Sequence, residues 1–262
     1  MLIFDSGIGG LSILKTIKMI FPNIHYIYIL DNEVFPYGNK TEHFIIHRII
    51  TIIKKIKKIY PINIVLIACN TVSTVALSFL KKTFNFPIIG IFPDINAAEK
   101  ITKNHIIGLI ATKKTIQSSY TQKLVYEKSF NNAIKIISTN QLALIAEKKI
   151  RKIAFSKLDL KKILTPWLNL SIKPDTIILG CTHFTFLKKE IKESLHLSSS
   201  INFIDSRQKM LFALQNYLHK LKNHQNIQQN IFLYSKNDQY LKQLLFFLKK
   251  YQFNKIAYIN LN

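Results

Sequence analysis

Leu66-Ile67-Ala68-Cys69-Asn70-Thr71 and Leu179-Gly180-Cys181-Thr182-His183 are two versions of one device. Each is a short apolar run that ends in a small residue, then a cysteine, then two polar side chains. A run of this length, preceded by Pro61 in the first copy and broken by Gly180 in the second, reads as a buried parallel strand. Helical spacing resumes after each, which puts both thiols where a strand ends and a helix begins. A shift of 112 residues, from 69 to 181, lays Val65 on Ile177, Asn70 on Thr182 and Thr71 on His183. The chain has two cysteines in all, one in each unit.

Outward from these units, apolar runs predict strands at 2–4, 25–30, 63–68, 88–91, 106–111, 133–138, 176–180, 201–204, 231–234 and 256–259. Helical spacing covers 11–20, 41–60, the stretch from Thr71, the stretch after Thr115 through Lys128, and two stretches carrying Glu147 and Trp167. Strands alternating with helices over the whole length imply a parallel α/β architecture. With the internal echo, this becomes two similar parallel-sheet α/β domains related by pseudo-symmetry, with the active site between them. Junctions near Pro93 and Asp205 give a discontinuous first domain, 1–93 and 206–262, and a second domain, 94–205.

At 262 residues and 48% hydrophobic content, the chain suits one large or two smaller globular domains. No apolar segment reaches the roughly 18 residues of a membrane span. Met1 to Ser6 enters a strand at once and lacks the regions of a signal peptide. Two cysteines far apart in sequence do not make a disulfide framework, so the reading is a cytoplasmic protein with reduced thiols. The net charge of +23 raises nucleic acid as a partner. The lysines, however, are spread as pairs on helix faces (Lys54-Lys55, Lys81-Lys82, Lys188-Lys189), alongside an excess of Ile and Asn. No zinc-finger spacing and no aromatic-basic RNA signature is present. The charge reads as a solvated surface, with a nucleic-acid-associated protein as the competing class.

A thiol at a helix N-terminus is expected below its ordinary pKa of about 8.5, because the helix amides favour the thiolate. Such thiols can act as nucleophiles, bind metal, form a redox pair or exchange protons. The C-x-x-C of a redox pair is absent. Zinc held by Cys69, Cys181 and His183 lacks an evident fourth ligand. Nucleophilic catalysis leaves one thiol unexplained. Buried inert cysteines leave the polar pairs Asn70-Thr71 and Thr182-His183 unexplained. Proton transfer from both faces of one carbon uses a thiol from each unit. Gly7-Ile8-Gly9-Gly10, in a strand-to-helix turn, reads as a loop whose backbone approaches a small anionic ligand. Asp31 to Gly38 reads as a binding loop or an ordinary connection.

Taken in order, Phe4-Asp5-Ser6-Gly7-Ile8-Gly9-Gly10-Leu11, Asp31 through Pro36-Tyr37-Gly38, Ala68-Cys69-Asn70-Thr71, Thr115-Ile116 with Ser118, and Gly180-Cys181-Thr182-His183 resemble the glutamate racemases. These are cofactor-independent amino-acid racemases of peptidoglycan precursor synthesis. The resemblance runs from residue 1 to about 206. Related aspartate racemases also carry paired cysteines but differ in the glycine loop and after the second Cys-Thr. The resemblance implies Cys69 and Cys181 as the two acid/base groups, Asp5 assisting Cys69, and His183 with Glu147 assisting Cys181. It implies that Asp5, Ser6, Tyr37, Gly38, Asn70, Thr71, Thr182 and His183 bind L-glutamate and D-glutamate, with no cofactor and no metal. It further implies a homodimer. Thr185 stands where a proline is usual, and Phe92-Pro93-Asp94-Ile95 departs from the family pattern.

Overall fold

A computed structural model describes residues 1–196, 201–219 and 229–261. Its strands are β1 (Leu2–Asp5), β2 (Ile27–Leu30), β3 (Val65–Ile67), β4 (Ile88–Gly90), β5 (Ile106–Ala111), β6 (Ala133–Ser138), β7 (Thr176–Gly180), β8 (Asn202–Ile204), β9 (Ile231–Tyr234) and β10 (Lys255–Tyr258). They form two sheets, ordered β10-β9-β2-β1-β3-β4 and β6-β5-β7-β8, and every neighbouring pair is parallel. The four strands β2-β1-β3-β4 of the larger sheet have the same order as the whole of the smaller one. The repeat seen between the two cysteine segments is therefore a repeat of topology.

The central strands are continuous apolar runs because both faces are covered. On one face of the larger sheet, Leu2, Phe4, Ile29 and Ile67 pack with Ile45, Ile49, Ile52 and Ile56 of helix Glu42–Ile59. On the other, Ile3, Tyr28, Leu66 and Phe232 meet Leu14 and Ile17 of helix Leu11–Ile20, Met210 and Leu214 of helix Arg207–Leu218, and Leu244 of helix Leu241–Leu248. In the smaller sheet Ile110, Ile177 and Leu179 face Leu142, Leu164 and Trp167, while Ile107, Leu109 and Ile178 face Ile95 and Ala98. The edge strands β6 and β10 are largely exposed, so they carry Lys135 and Lys255.

Three local features depart from the sequence reading. Helix Ile95–Glu99 lies where no helix is expected, started by Asp94, whose Oδ1 accepts from the Ala97 amide at 3.1 Å. The expected helix through Lys128 is split into Lys113–Gln117 and Ser119–Lys128. Ser118 adopts an extended backbone there and caps the second piece with its hydroxyl. Cys181 is followed by a 3-10 segment, Thr182–Leu187, and the α-helix Lys188–Ser194 begins only after it.

In each sheet the second strand adds to one side of the first and the third to the other, which makes a switch point between β1 and β3 and between β5 and β7. In the larger sheet the chain later returns to the β2 side to add β9 and β10. Crevices at the carboxyl ends of such strands are where α/β sheets bind ligands. Asp5 ends β1, Cys69 follows β3, Thr112 follows β5 and Cys181 follows β7. Both switch points deliver their residues to one place.

Candidate active site

Cys69 is the N-cap of helix Asn70–Thr83 and Cys181 the N-cap of the 3-10 segment; both are buried, free thiols. The groups around them differ. Beside Cys69, the Ser6 hydroxyl lies 3.7 Å from the sulfur and donates to Asp5 Oδ1 at 3.3 Å. Asp5 is fully buried, accepts from the Gly7 amide at 3.4 Å, and takes the Thr182 hydroxyl on Oδ2 at 3.0 Å. That last bond joins the two sheets' loops. Beside Cys181, His183 Nδ1 lies 3.7 Å from the sulfur and Nε2 lies 3.1 Å from Glu147 Oε1. Glu147 also accepts from the Ile8 amide at 2.8 Å and from Arg151 Nε at 3.0 Å.

The electrostatics follow from burial and these partners. Burial pushes the Asp5 carboxyl up to about 6, against the pull of the His183 charge and the Thr182 hydroxyl. Burial also pushes Cys69 far above the ordinary thiol range, helped by the Asp5 charge and opposed by the Val72 amide. The expected lowering at a helix N-terminus is therefore overturned at Cys69. The helix start does contribute, through Val72, but desolvation of the thiolate and a neighbouring carboxylate outweigh it. Burial alone would drain the proton from His183. Its hydrogen bonds to Cys181 and Glu147, and their charges, reverse this and hold the imidazolium well above its ordinary range. Glu147, though buried, is held below the usual carboxylate range by His183, Arg151 and the Ile8 amide.

The glycine loop is shaped by this pairing. A Cβ on Gly7 would sit 2.7 Å from Glu147 Oε1 and collide with His183 Nε2; one on Gly9 would sit 2.5 Å from His183 Nδ1. The loop thus lets an imidazole lie on its backbone, and two of its amides are already taken by Asp5 and Glu147. The expected anion cradle is occupied by the protein's own carboxylates.

The remaining candidates divide into two groups. Thr71 Oγ1 meets Thr112 Oγ1 at 2.9 Å and Thr115 Oγ1 at 3.3 Å, and Asn70 Nδ2 donates to Ser206 Oγ at 3.2 Å. With Thr182, these put hydroxyls and amides from both sheets around the thiols. Tyr37 instead spends its hydroxyl on Asp31 at 2.6 Å, so only its ring and backbone are left to the site. Gly38 approaches the other unit closely, since a Cβ there would lie 2.9 Å from Asn140 Cγ and 3.0 Å from Thr112 Cβ. A small cavity lined by Asn70, Cys181, Thr182, Thr185, Asp205 and Ser206 adjoins the second thiol. Among the described residues, no group of three or more His, Cys, Asp or Glu is placed to hold a metal ion.

Three residues missing from the sequence reading belong here, with Thr115, which enters that reading only as part of a motif. Thr112 and Thr115 meet Thr71; the two threonines of Thr112-Lys113-Lys114-Thr115, directly after a strand, were the available signal. Arg48 holds buried Asp31 from two nitrogens at 2.8 and 2.9 Å, behind the Tyr37 loop. Arg151 holds Glu147. Neither arginine lies in a motif; the i,i+4 spacing of Glu147 and Arg151 was the available signal for the second, and no sequence pattern points to Arg48.

Residues 18–209 match the family model described as Asp/Glu/Hydantoin racemase. The glutamate racemase of Buchnera aphidicola subsp. Acyrthosiphon pisum is 67% identical over 262 residues, all of both chains. That of Photorhabdus laumondii is 46% identical over 74% of this chain and 68% of its own. The crystal structure of Escherichia coli glutamate racemase, in complex with L-glutamate and the activator UDP-MurNAc-Ala, superposes with a TM-score of 0.90 at 35% identity, covering 99% of this chain and 97% of that one. The Francisella tularensis glutamate racemase, in complex with D-glutamate, gives 0.77 at 25% identity over 100% and 97%.

Proposed function

The chain belongs to the Asp/Glu/hydantoin racemase family and is an amino-acid racemase, and we propose that it interconverts L-glutamate and D-glutamate with Cys69 and Cys181 as its two acid/base groups. The observation that carries the reading is the pairing at the two switch points: Cys69 beside Ser6 and Asp5, and Cys181 on the His183–Glu147 pair. The α-hydrogen of an amino acid is a very weak acid. One thiolate must remove it while a thiol on the opposite face supplies another. In this reading Cys181 attacks the L-enantiomer and Cys69 the D-enantiomer. His183, steadied by Glu147, exchanges a proton with Cys181, and Asp5 serves Cys69.

The substrate's charged ends are held by Ser6, Asn70, Thr71, Thr182 and His183, with the backbone of Tyr37-Gly38. No arginine lies in these motifs, so the carboxylates rely on many neutral donors. The product supplies D-glutamate for peptidoglycan. The domains of this reading are 1–93 with 206–262, and 94–205; residues 197–200, 220–228 and 262 of those ranges lie outside the described residues. In support, β8 pairs with β7, whereas helix Arg207–Leu218 packs on the larger sheet. The enzyme acts in the cytoplasm as a homodimer, with no nucleic-acid partner; no described helix is long and apolar enough to cross a membrane.

The test is chiral chromatography of L-glutamate incubated with the protein, without pyridoxal phosphate or metal. D-glutamate should accumulate until the enantiomers are equal. Well-folded protein that forms no D-glutamate, or that turns over aspartate as well or better, would overturn the reading.

A further inference from the structure

Arg151 closes helix Gln141–Ile150 of the smaller-sheet unit, its own amide bonded to the Glu147 carbonyl at 3.0 Å. Its side chain is 8% exposed and faces two carboxylates from different parts of the molecule. Nε donates to Glu147 Oε2 at 3.0 Å; Nη1 donates to both oxygens of Asp238, at 3.1 and 3.2 Å, and to the Tyr240 carbonyl at 3.4 Å. Asp238 follows β9 of the larger sheet, and its Oδ1 also takes the Tyr240 amide at 2.9 Å, ahead of helix Leu241–Leu248. Glu147 in turn joins the Ile8 amide and the His183 imidazole. An unbroken chain of contacts thus runs Asp238–Arg151–Glu147–His183–Cys181, crossing from one unit to the other before it reaches the thiol.

We propose that Arg151 is a positioning residue that fixes the Glu147 carboxylate against His183 and, through Asp238, ties that fixation to closure of the smaller-sheet unit onto the larger. The inference rests on the proposed role of Cys181 and goes beyond it, because it names a group remote from the thiol and a reason for closure to matter. Both thiols are buried, so substrate entry separates the units. The fork of the guanidinium suits this double duty, since one planar cation serves two carboxylates at fixed angles, which an ammonium cannot do. When the units part, Arg151 loses Asp238, and Glu147 loses the Ile8 amide of the opposite unit. The relay is then complete only in the closed state, with substrate enclosed.

The experiment compares wild-type protein with Arg151→Gln, Arg151→Lys and Asp238→Asn, by steady-state racemisation of glutamate and by hydrogen exchange of peptides spanning Ile8. Arg151→Gln should lower kcat by at least about tenfold, a share of the roughly hundredfold or more that a positioned acid/base contributes, while KM moves less than about threefold. The Ile8 amide should exchange at least about tenfold faster, because its acceptor is no longer held. Arg151→Lys should recover part of kcat, and Asp238→Asn should show both effects in weaker form. Wild-type kcat and wild-type exchange in Arg151→Gln would overturn the proposal. A change confined to KM, or an Asp238→Asn protein indistinguishable from wild type, would equally overturn the coupling. Wild-type protein inert on both enantiomers of glutamate would sink the substrate reading instead, and the exchange arm would still decide the role of Arg151.

Discussion

Replacing Asp5 with asparagine should make the protein more stable above pH 6 while destroying its activity. Asp5 has no exposed surface, and burial lifts its carboxyl from 3.8 to about 6. Each tenfold change in an acid constant is about 1.4 kcal/mol, so ionising this group costs the folded state roughly 3 kcal/mol relative to the unfolded chain. A carboxyl raised in the native state holds its proton more tightly there. Its stabilisation is complete below 3.8 and is lost as the pH climbs through about 6. Asparagine keeps an oxygen for the Gly7 amide and the Ser6 hydroxyl, and its amide can donate to the Thr182 hydroxyl, which now donates to Asp5. It cannot ionise, so it does not share the loss. Guanidinium unfolding of both proteins, in reductant, at intervals from pH 4 to 7.5 gives the difference in stability. That difference should grow by about 2.5 kcal/mol in favour of Asp5→Asn between pH 4 and 7, then level off. His183, raised instead, loses its stabilisation only above its unfolded value of 6.5, and it is common to both proteins. A difference flat to within about 0.5 kcal/mol across the range would refute the assignment of a buried, strained carboxylate. Racemisation by the variant should fall at least about a hundredfold at every pH.

Cys69→Ala and Cys181→Ala should each abolish racemisation in both directions with the fold intact. In deuterated water, early product from wild type should carry solvent deuterium and recovered substrate little; label in both would indicate a single base. Gly9→Ala places a methyl 2.5 Å from His183 Nδ1 and 2.7 Å from the His183 backbone nitrogen, so it should lower both kcat/KM and the thermal midpoint, read by kinetics alongside a melt. Arg48→Met leaves Asp31, fully buried, with Tyr37 and Ser235 but no cation, and should destabilise by about 3–5 kcal/mol in denaturant titration.

The strands were legible because the interior strands are covered on both faces and therefore read as unbroken apolar runs, as in Leu2-Ile3-Phe4 and Val65-Leu66-Ile67. What escaped was set by short-range capping: Asp94 starts a five-residue helix too short to show periodicity, and Ser118 divides another without a Pro or Gly to mark it. In the site, the thiols were legible from their repeated setting, but the charge state of Cys69 was not. It is fixed first by burial and then by the charge of nearby Asp5, sixty-four residues away in the chain. The roles of Arg48 and Arg151 escaped for a similar reason. Arg48 acts on Asp31 from another element, and Arg151 joins Glu147 of its own helix to Asp238 of the other unit, a link that the i,i+4 spacing alone does not disclose.

The scaffold is nearly symmetric, but the proton-handling groups on it are not. By sheet register and the 112-residue shift, Asp5 occupies the place of Ala111, and His183 the place of Thr71. One unit thus supports its thiol from the strand before the switch point, the other from the segment after it, with a carboxylate in one case and an imidazolium in the other. This asymmetry cannot favour one enantiomer in the sense of kcat/KM. Mirror-image amino acids have equal free energies, so the equilibrium constant is one and kcat/KM must be the same in both directions. The unlike partners can only divide that shared value differently between kcat and KM. With Cys69 held as a thiol by burial and by Asp5, the empty enzyme already has the donor that L-glutamate needs and must move a proton before it can serve D-glutamate. Any substitution at Asp5, Glu147 or His183 must therefore lower both kcat/KM values by one factor, while the two kcat values are free to part company.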